Sequence, residues 1–244
     1  MQSLAFKDFG ESLKGEVIIV QYYNNKDLSD AVIRCEGKDF AVHKLVLFSH
    51  SQYFAEQLDG LSEEKSDKAI NIDDFEIDVV EAMVQFMYHF DYKTPEDSTS
   101  LILNTKVYQI ADKFGIKSLK EQAARKFGHA ANFYLASNEF PVAVTLACKI
   151  TPPTDMGLRN AILVAIFDNF DEIMGRSEFR EVLKTNPEFA NDLARFLFEK
   201  TRGINRFKCP NCVRYFHFGC MDQNMKYCPL CHHYLGFWYS APDC

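Results

Sequence analysis

The sequence predicts an α+β fold: a small sheet covered by helices, then a helical region, then a short tail stapled by metal. Three observations carry that expectation. Short β-branched runs broken by turn formers occupy the first third of the chain. From Val79 onward the apolar spacing changes to three and four residues, the period of a helix face. Cysteines then crowd into the last stretch, where four of them form two Cys-x-x-Cys pairs.

At 244 residues the chain has room for one large domain or two to three small ones, at about 100–200 residues each. Its 47% apolar and 25% charged content is that of a globular chain. The formal charge of −7 argues against nucleic acid as a partner of the whole chain, because phosphate binding needs clustered Lys and Arg. No apolar run approaches the ~18–20 residues that cross a bilayer, and the opening MQSLAFKDFGESLKG lacks the apolar core of a secretory signal. The expectation is an intracellular protein with no membrane partner, nucleus and cytoplasm both open.

Taken in order, Ala31–Cys35 and Phe40–His43 read as a hairpin around the polar turn Glu36-Gly37-Lys38-Asp39. Lys44–His50 and Ser51–Leu58 read as two short helices, Gly60–Lys68 as a charged loop, and Ala69–Asp73 as a half-buried strand. Val79, Met83, Phe86, Met87 and Phe90 then mark one helix face. After the loop Asp91–Ser98, the next helix carries Leu103, Val107, Ile110, Ala111 and Phe114, with Gly115 as its cap. Ser118 and Glu121 have capping-box spacing for a helix that turns Leu119, Ala123 and Phe127 inward and closes at Gly128.

Thr151–Asp155 (TPPTD) breaks the helical pattern, since proline stops a helix and restricts its predecessor. Leu158, Ile162, Ile166, Phe170 and Ile173 predict one long amphipathic helix beyond it. Asn186-Pro187 reads as the start of another, with Leu193, Phe196 and Leu197 as its buried stripe and Gly203 as its end.

Composition shifts near Arg202. From Arg202 onward five basic residues face two acids, a charge of +3, which leaves 22 basic against 32 acidic residues, or −10, in the remainder. In this tail Cys209-Pro-Asn-Cys212 and Cys228-Pro-Leu-Cys231 stand fifteen residues apart, the spacing of a structural zinc site. Each two-residue gap lets a tight turn aim two thiolates at one ion, and two turns complete a tetrahedron. The expected cofactor is one structural Zn²⁺, in an arrangement that resembles a zinc ribbon. His217, Cys220, His232 and His233 stand close enough to compete as ligands. His217-x-x-Cys220 before Cys228 is similar to the second half of a RING finger, although Tyr215 stands where a RING has Cys. Four thiolates on Zn²⁺ carry −2, so the tail's +3 falls to about +1, a thin footprint for nucleic acid. Cys35 and Cys148 are isolated and expected only to pack.

The run Ser29–Phe54, SDAVIRCEGKDFAVHKLVLFSHSQYF, carries three ordered motifs: Asp30 before a hairpin, His43-Lys44-Leu45-Val46-Leu47 opening a helix, and Ser51-Gln52-Tyr53-Phe54. It resembles the signature of the BTB/POZ family, and AINIDDFEIDVVEAMVQFMYHFDY and YQIADKFGIKSLKEQAARKF resemble the rest of that domain in order and spacing. The resemblance implies a BTB/POZ domain over residues 28–128 after an extension over 1–27, and the composition shift then divides the rest into a helical region, 129–203, and the tail, 204–244. It also implies a non-enzymatic interaction module, commonly a homodimer, with Asp30 and Lys44 as the charged pair of the dimer-associated pocket. Asp30 reads equally well as a turn or cap residue, and His43 as a hydrogen-bonded histidine and not a ligand. Some cullin-binding members carry a hydrophobic-x-Glu motif where Leu61-Ser62-Glu63 stands, which makes a cullin a candidate partner; a plain solvated loop fits those residues as well. Two other roles remain open: a transcriptional or chromatin-associated BTB zinc protein, and a RING-like ubiquitin ligase tail using His217 and Cys220.

Overall fold

A computed structural model describes residues 19–59, 69–201, 205–218, 227–228 and 231–234. Strand β1 (Ala31–Cys35) buries alternate residues Ala31, Ile33 and Cys35, as a half-buried strand must. It pairs antiparallel with β2 (Lys38–Val42), from Ala31 opposite Val42 to Cys35 opposite Lys38. Both loop residues, Glu36 and Gly37, have positive φ (48° and 81°), the backbone twist that suits a two-residue hairpin. The turn is therefore shorter than the four residues expected, and Lys38 and Asp39 belong to β2. Strand β3 (Ala69–Asn71) joins the free side of β1 in parallel, giving the order β2-β1-β3. A parallel return requires a crossover, and α1 (Lys44–His50) and α2 (Gln52–Asp59) lie within it.

Side chains that the motifs share hold these short helices. The Asp30 carboxylate accepts the Lys44 backbone N–H at 2.7 Å, capping α1 from a distant residue. The Tyr88 hydroxyl accepts the His43 backbone N–H at 3.0 Å and meets the His43 ring Nδ1 at 2.8 Å. Ser51 sits at the start of α2, where its Oγ accepts the Phe54 N–H at 3.3 Å and donates to the Phe114 carbonyl at 2.6 Å. The Phe54 ring stacks on Phe114 at 4.9 Å. At the end of α1, His50 Nε2 meets the Met87 carbonyl at 2.9 Å, and burial pushes its imidazole below its ordinary value.

Helix α3 (Ile77–His89) buries Val79, Met83, Phe86, Met87 and Tyr88. Phe90, expected on the same face, instead caps α3 at φ 54° and is 45% exposed. Helix α4 (Thr99–Lys113) ends in a Schellman turn: Ile116 N–H donates to the Ala111 carbonyl at 2.8 Å and Gly115 N–H to Asp112 at 3.2 Å. Gly115 takes φ 68°, which only glycine adopts without strain. Helix α5 (Lys117–Tyr134) follows at once. Ile116 is its N-cap with no side-chain cap bond, so the Ser118–Glu121 capping box does not form. Nor does Gly128 end the helix: it faces α7 (Met156–Asp168), where an added Cβ would stand 3.9 Å from the Ala161 Cβ.

Helix α6 (Glu139–Ile150) ends at Thr151. Arg159 on α7 is only 2% exposed, although the apolar stripe gave no hint of it. Its Nε donates to Thr151 Oγ1 and its Nη2 to the Thr151 carbonyl, both at 3.0 Å, so a buried cation satisfies the carbonyl end of α6. The long helix expected over Leu158–Ile173 is two helices. Asn169 Nδ2 donates back to the Ala165 carbonyl at 3.0 Å and ends α7, and α8 (Phe170–Gly175) starts afresh. After α9 (Ser177–Thr185), the Asn186 carbonyl accepts the Ala190 N–H at 3.0 Å, which opens α10 (Pro187–Thr201). The Asn186 side chain instead turns back to the Val182 carbonyl at 2.9 Å, so Asn186 caps the preceding helix. The chain divides into two compact units, Met1–Ala190 and Asn191–Cys244. Gly203 lies outside the described residues. Among those described, no helix is long and apolar enough to cross a membrane.

Within the first unit one polar cluster ties α7 to α4 and α5. Asp155 caps α7 through the Gly157 N–H, accepts the Tyr108 hydroxyl of α4 at 2.6 Å, and pairs with Lys120 of α5 at 2.6 Å. Burial alone would raise the Asp155 carboxyl, but the Lys120 and Tyr108 hydrogen bonds outweigh it and hold the group below its ordinary value. Gly157 leaves room for this: a Cβ there would overlap the Tyr108 hydroxyl. Gly157→Ala is therefore expected to cost about 1–3 kcal/mol, the range for overpacking a tight site. Adding Tyr108→Phe should recover part of that loss, a coupling that urea titration of the two single variants and the double variant would measure. Ser51→Ala removes a cap and strands the Phe114 carbonyl. It should lower unfolding free energy by about 1–3 kcal/mol, read by the same titration.

Candidate metal centre and interaction surface

In the second unit β4 (Asn205–Lys208) and β5 (Tyr215–Phe218) pair antiparallel, with Lys208 opposite Tyr215. The first Cys-x-x-Cys turn therefore sits at the tip of a hairpin. A second antiparallel bridge, Tyr227 to Tyr234, frames the other turn, and the two rings meet edge-on at 5.3 Å.

The two turns share one backbone pattern. Val213 N–H donates to the Cys209 carbonyl at 2.9 Å, and His232 N–H to the Cys228 carbonyl at 2.8 Å. Cys209 N–H donates to the Arg214 carbonyl at 3.0 Å, and Cys228 N–H to that of His233 at 2.9 Å. Val213 and His232 both take positive φ, 60° and 55°, which reverses the chain and folds each turn back on its first cysteine. The folding-back brings Cys209, Cys212, Cys228 and Cys231 together, every sulfur within 4.8 Å of the others.

These distances test whether a metal fits. A tetrahedral ZnS₄ centre with bonds of about 2.3 Å has sulfur–sulfur edges of about 3.8 Å. Cys209 and Cys231 are 3.7 Å apart, and Cys212 and Cys228 are 3.8 Å apart. A disulfide would require about 2.05 Å. The set could hold a metal ion, and four soft thiolates suit zinc. Cys209 and Cys228 are buried, while Cys212 and Cys231 are half-buried. The His233 backbone N–H and the Asn211 side chain hold the Cys231 thiol down to about 6.

The other candidate residues fall in different places. His232 and His233 are exposed, and their backbones shape the second turn. His217 lies in β5 opposite Arg206; its side chain is outside the description, as is Cys220 altogether. Leu61 and Glu63 also lie outside the described residues. The Asp30 carboxylate accepts the Lys44 backbone N–H, a helix-cap contact made with the main chain and not with the lysine's charge. His43 is hydrogen-bonded on both ring nitrogens, to Tyr88 and, at 3.0 Å, to the Asp27 carbonyl. Its partner Tyr88 has its phenol pushed up to about 12, chiefly by burial. Beside this junction Leu28 and Leu45 stand 80% and 81% exposed. Cys35 packs in the core and donates to the Phe75 carbonyl at 3.1 Å.

Reading the sequence missed Tyr88 and Asn211 as partners. Tyr88 sits within an apolar stripe, and only tertiary proximity reveals its hydroxyl's role. The Asn211 side chain reaches Cys231 at 3.6 Å from the opposite turn; an amide inside a Cys-x-x-Cys pair was the available signal.

Comparison with known proteins agrees with this architecture. The family model described as BTB/POZ domain matches residues 19–130, a span that encloses the motifs from Asp30 to Phe54. The chain is 23% identical over 189 residues to the ARM repeat protein interacting with ABF2 of Arabidopsis thaliana, covering 77% of this chain and 25% of that protein. It is 26% identical over 121 residues to mouse Kelch repeat and BTB domain-containing protein 4, covering 49% of this chain and 22% of that one. The chain thus spans about a quarter of the length of these curated relatives. Among solved structures, the BTB domain of human gigaxonin is 19% identical, with a TM-score of 0.40 over 51% of this chain and 98% of its own. Residues 19–130 are thus a BTB/POZ domain.

Proposed function

We propose that this protein is a non-enzymatic adaptor that self-associates through its BTB/POZ domain, holds a partner on its remaining surfaces, and carries one structural Zn²⁺ in its tail. The observation that supports association is the exposure of Leu28 and Leu45, about four-fifths each, close in sequence to Asp30 and Lys44, which the Lys44 N–H bond joins. Exposed apolar anchors around a polar contact are the material of an interface centre. Cys209, Cys212, Cys228 and Cys231 are the zinc ligands in this reading. Zinc supplies no reaction there: it fixes two turns that the small tail has too little core to hold.

The partner assigned to Leu61 and Glu63 is a cullin, which would make the protein a substrate adaptor of a cullin-RING ubiquitin ligase. An apolar anchor with an acid two residues beyond it suits a pocket with a basic rim. Replacing both with Ala should cut cullin recovery in a pull-down about tenfold, with self-association unchanged by size-exclusion chromatography. Unchanged recovery would remove the docking assignment. Native mass spectrometry of the full chain should find one zinc per chain, lost on chelation and in Cys228→Ser. Two ions per chain would instead favour a RING-like ligand set that recruits His217 and Cys220.

A further inference from the structure

The two Cys-x-x-Cys turns match in the carbonyl hydrogen bonds and left-handed residues described above, which turns attention to their side chains. In sequence they differ at the third position, Asn211 in the first turn and Leu230 in the second. Leucine has no donor. Asparagine has an amide, and here its Nδ2 donates across the centre to Cys231 Sγ at 3.6 Å. Cys231 and Cys212 are the two half-buried sulfurs, those that solvent reaches. Among the described residues, no side-chain N–H donor reaches Cys212.

We infer that Asn211 is a positioning residue of the metal centre: its amide screens and orients the Cys231 thiolate, so that zinc exchange begins at Cys212. This rests on the four-cysteine zinc reading above. The physical basis is that a thiolate sharing its charge with an N–H donor is a poorer base and nucleophile than one without. A ligand leaves a metal when its sulfur is protonated or attacked, and an amide lying over one exposed sulfur slows both. Outer partners of metal ligands commonly change metal affinity about 10–100-fold.

The test uses the zinc-loaded full chain. Zinc transfer to a chromophoric chelator gives the release rate, and limiting N-ethylmaleimide with peptide mapping gives the order in which thiols react. In the unaltered protein Cys212 should be alkylated before the other three ligands. Asn211→Asp keeps the size and turn preference of asparagine but replaces the donor with a carboxylate. It should release zinc about tenfold faster, with Cys231 now reacting as early as Cys212. Asn211→Ala removes the donor without adding charge and should give a smaller change in the same direction; it serves as the readout if the Asp variant does not load. A residue needed only for the turn would leave Asn211→Asp like the parent in both measurements, and that result would overturn the inference while leaving the zinc site intact. A parent chain that takes up no zinc would overturn the zinc reading itself.

Discussion

A single hydroxyl group stands where the first half of this protein comes together. Ser51 Oγ caps α2 through the Phe54 N–H and at the same time donates to the Phe114 carbonyl, sixty-three residues away, at the end of α4. A serine can do both because its oxygen is donor and acceptor at once. The Phe54 ring, three residues on and one helical turn along, then falls onto Phe114. Gly115 completes the junction, since its left-handed backbone turns the chain straight from α4 into α5. One local spacing, Ser-x-x-Phe, thereby ties the crossover after the hairpin to the helical layer.

The same economy recurs at His43 and Asp30. Both residues spend their polar groups on fold closure, His43 between Tyr88 and Asp27 and Asp30 on the exposed end of α1. Motif residues that look chemical can thus be polar groups satisfied across long sequence distances. Farther along, Asp155 does for the next helices what Ser51 does for the first. It caps its own helix while holding Tyr108 and Lys120 from two others. Packing between helices supplies most of the area, and these few shared polar groups select one arrangement of it.

The tail is built on a different principle. Among its described residues two short strands and one bridge frame the cysteine turns, and backbone geometry does the organising. Two turns with the same hydrogen bonds and the same left-handed residue place four sulfurs at tetrahedral spacing. Where hydrophobic burial is small, a metal ion is the economical source of order.

Much of this was legible in the residues alone. The hairpin, the helix order, the motif-bearing segment and the paired cysteines all followed from periodicity, turn chemistry and spacing, because each is decided within a few residues. The misreadings share one cause. Ser118 and Glu121 have the spacing of a capping box, yet the Schellman turn before them starts the helix two residues too early for Ser118 to cap it. Gly128 looks like a helix end but lies within α5, where it faces Ala161 of α7. Asn169 splits an apolar stripe that spacing read as continuous, and Arg159 is buried because the carbonyl end of another helix needs a donor. Local sequence thus determined which elements form and which residues can bind metal. Tertiary structure decided where helices end, which polar groups are buried, and how four thiols from two distant turns converge, because each depends on a partner far away in the chain.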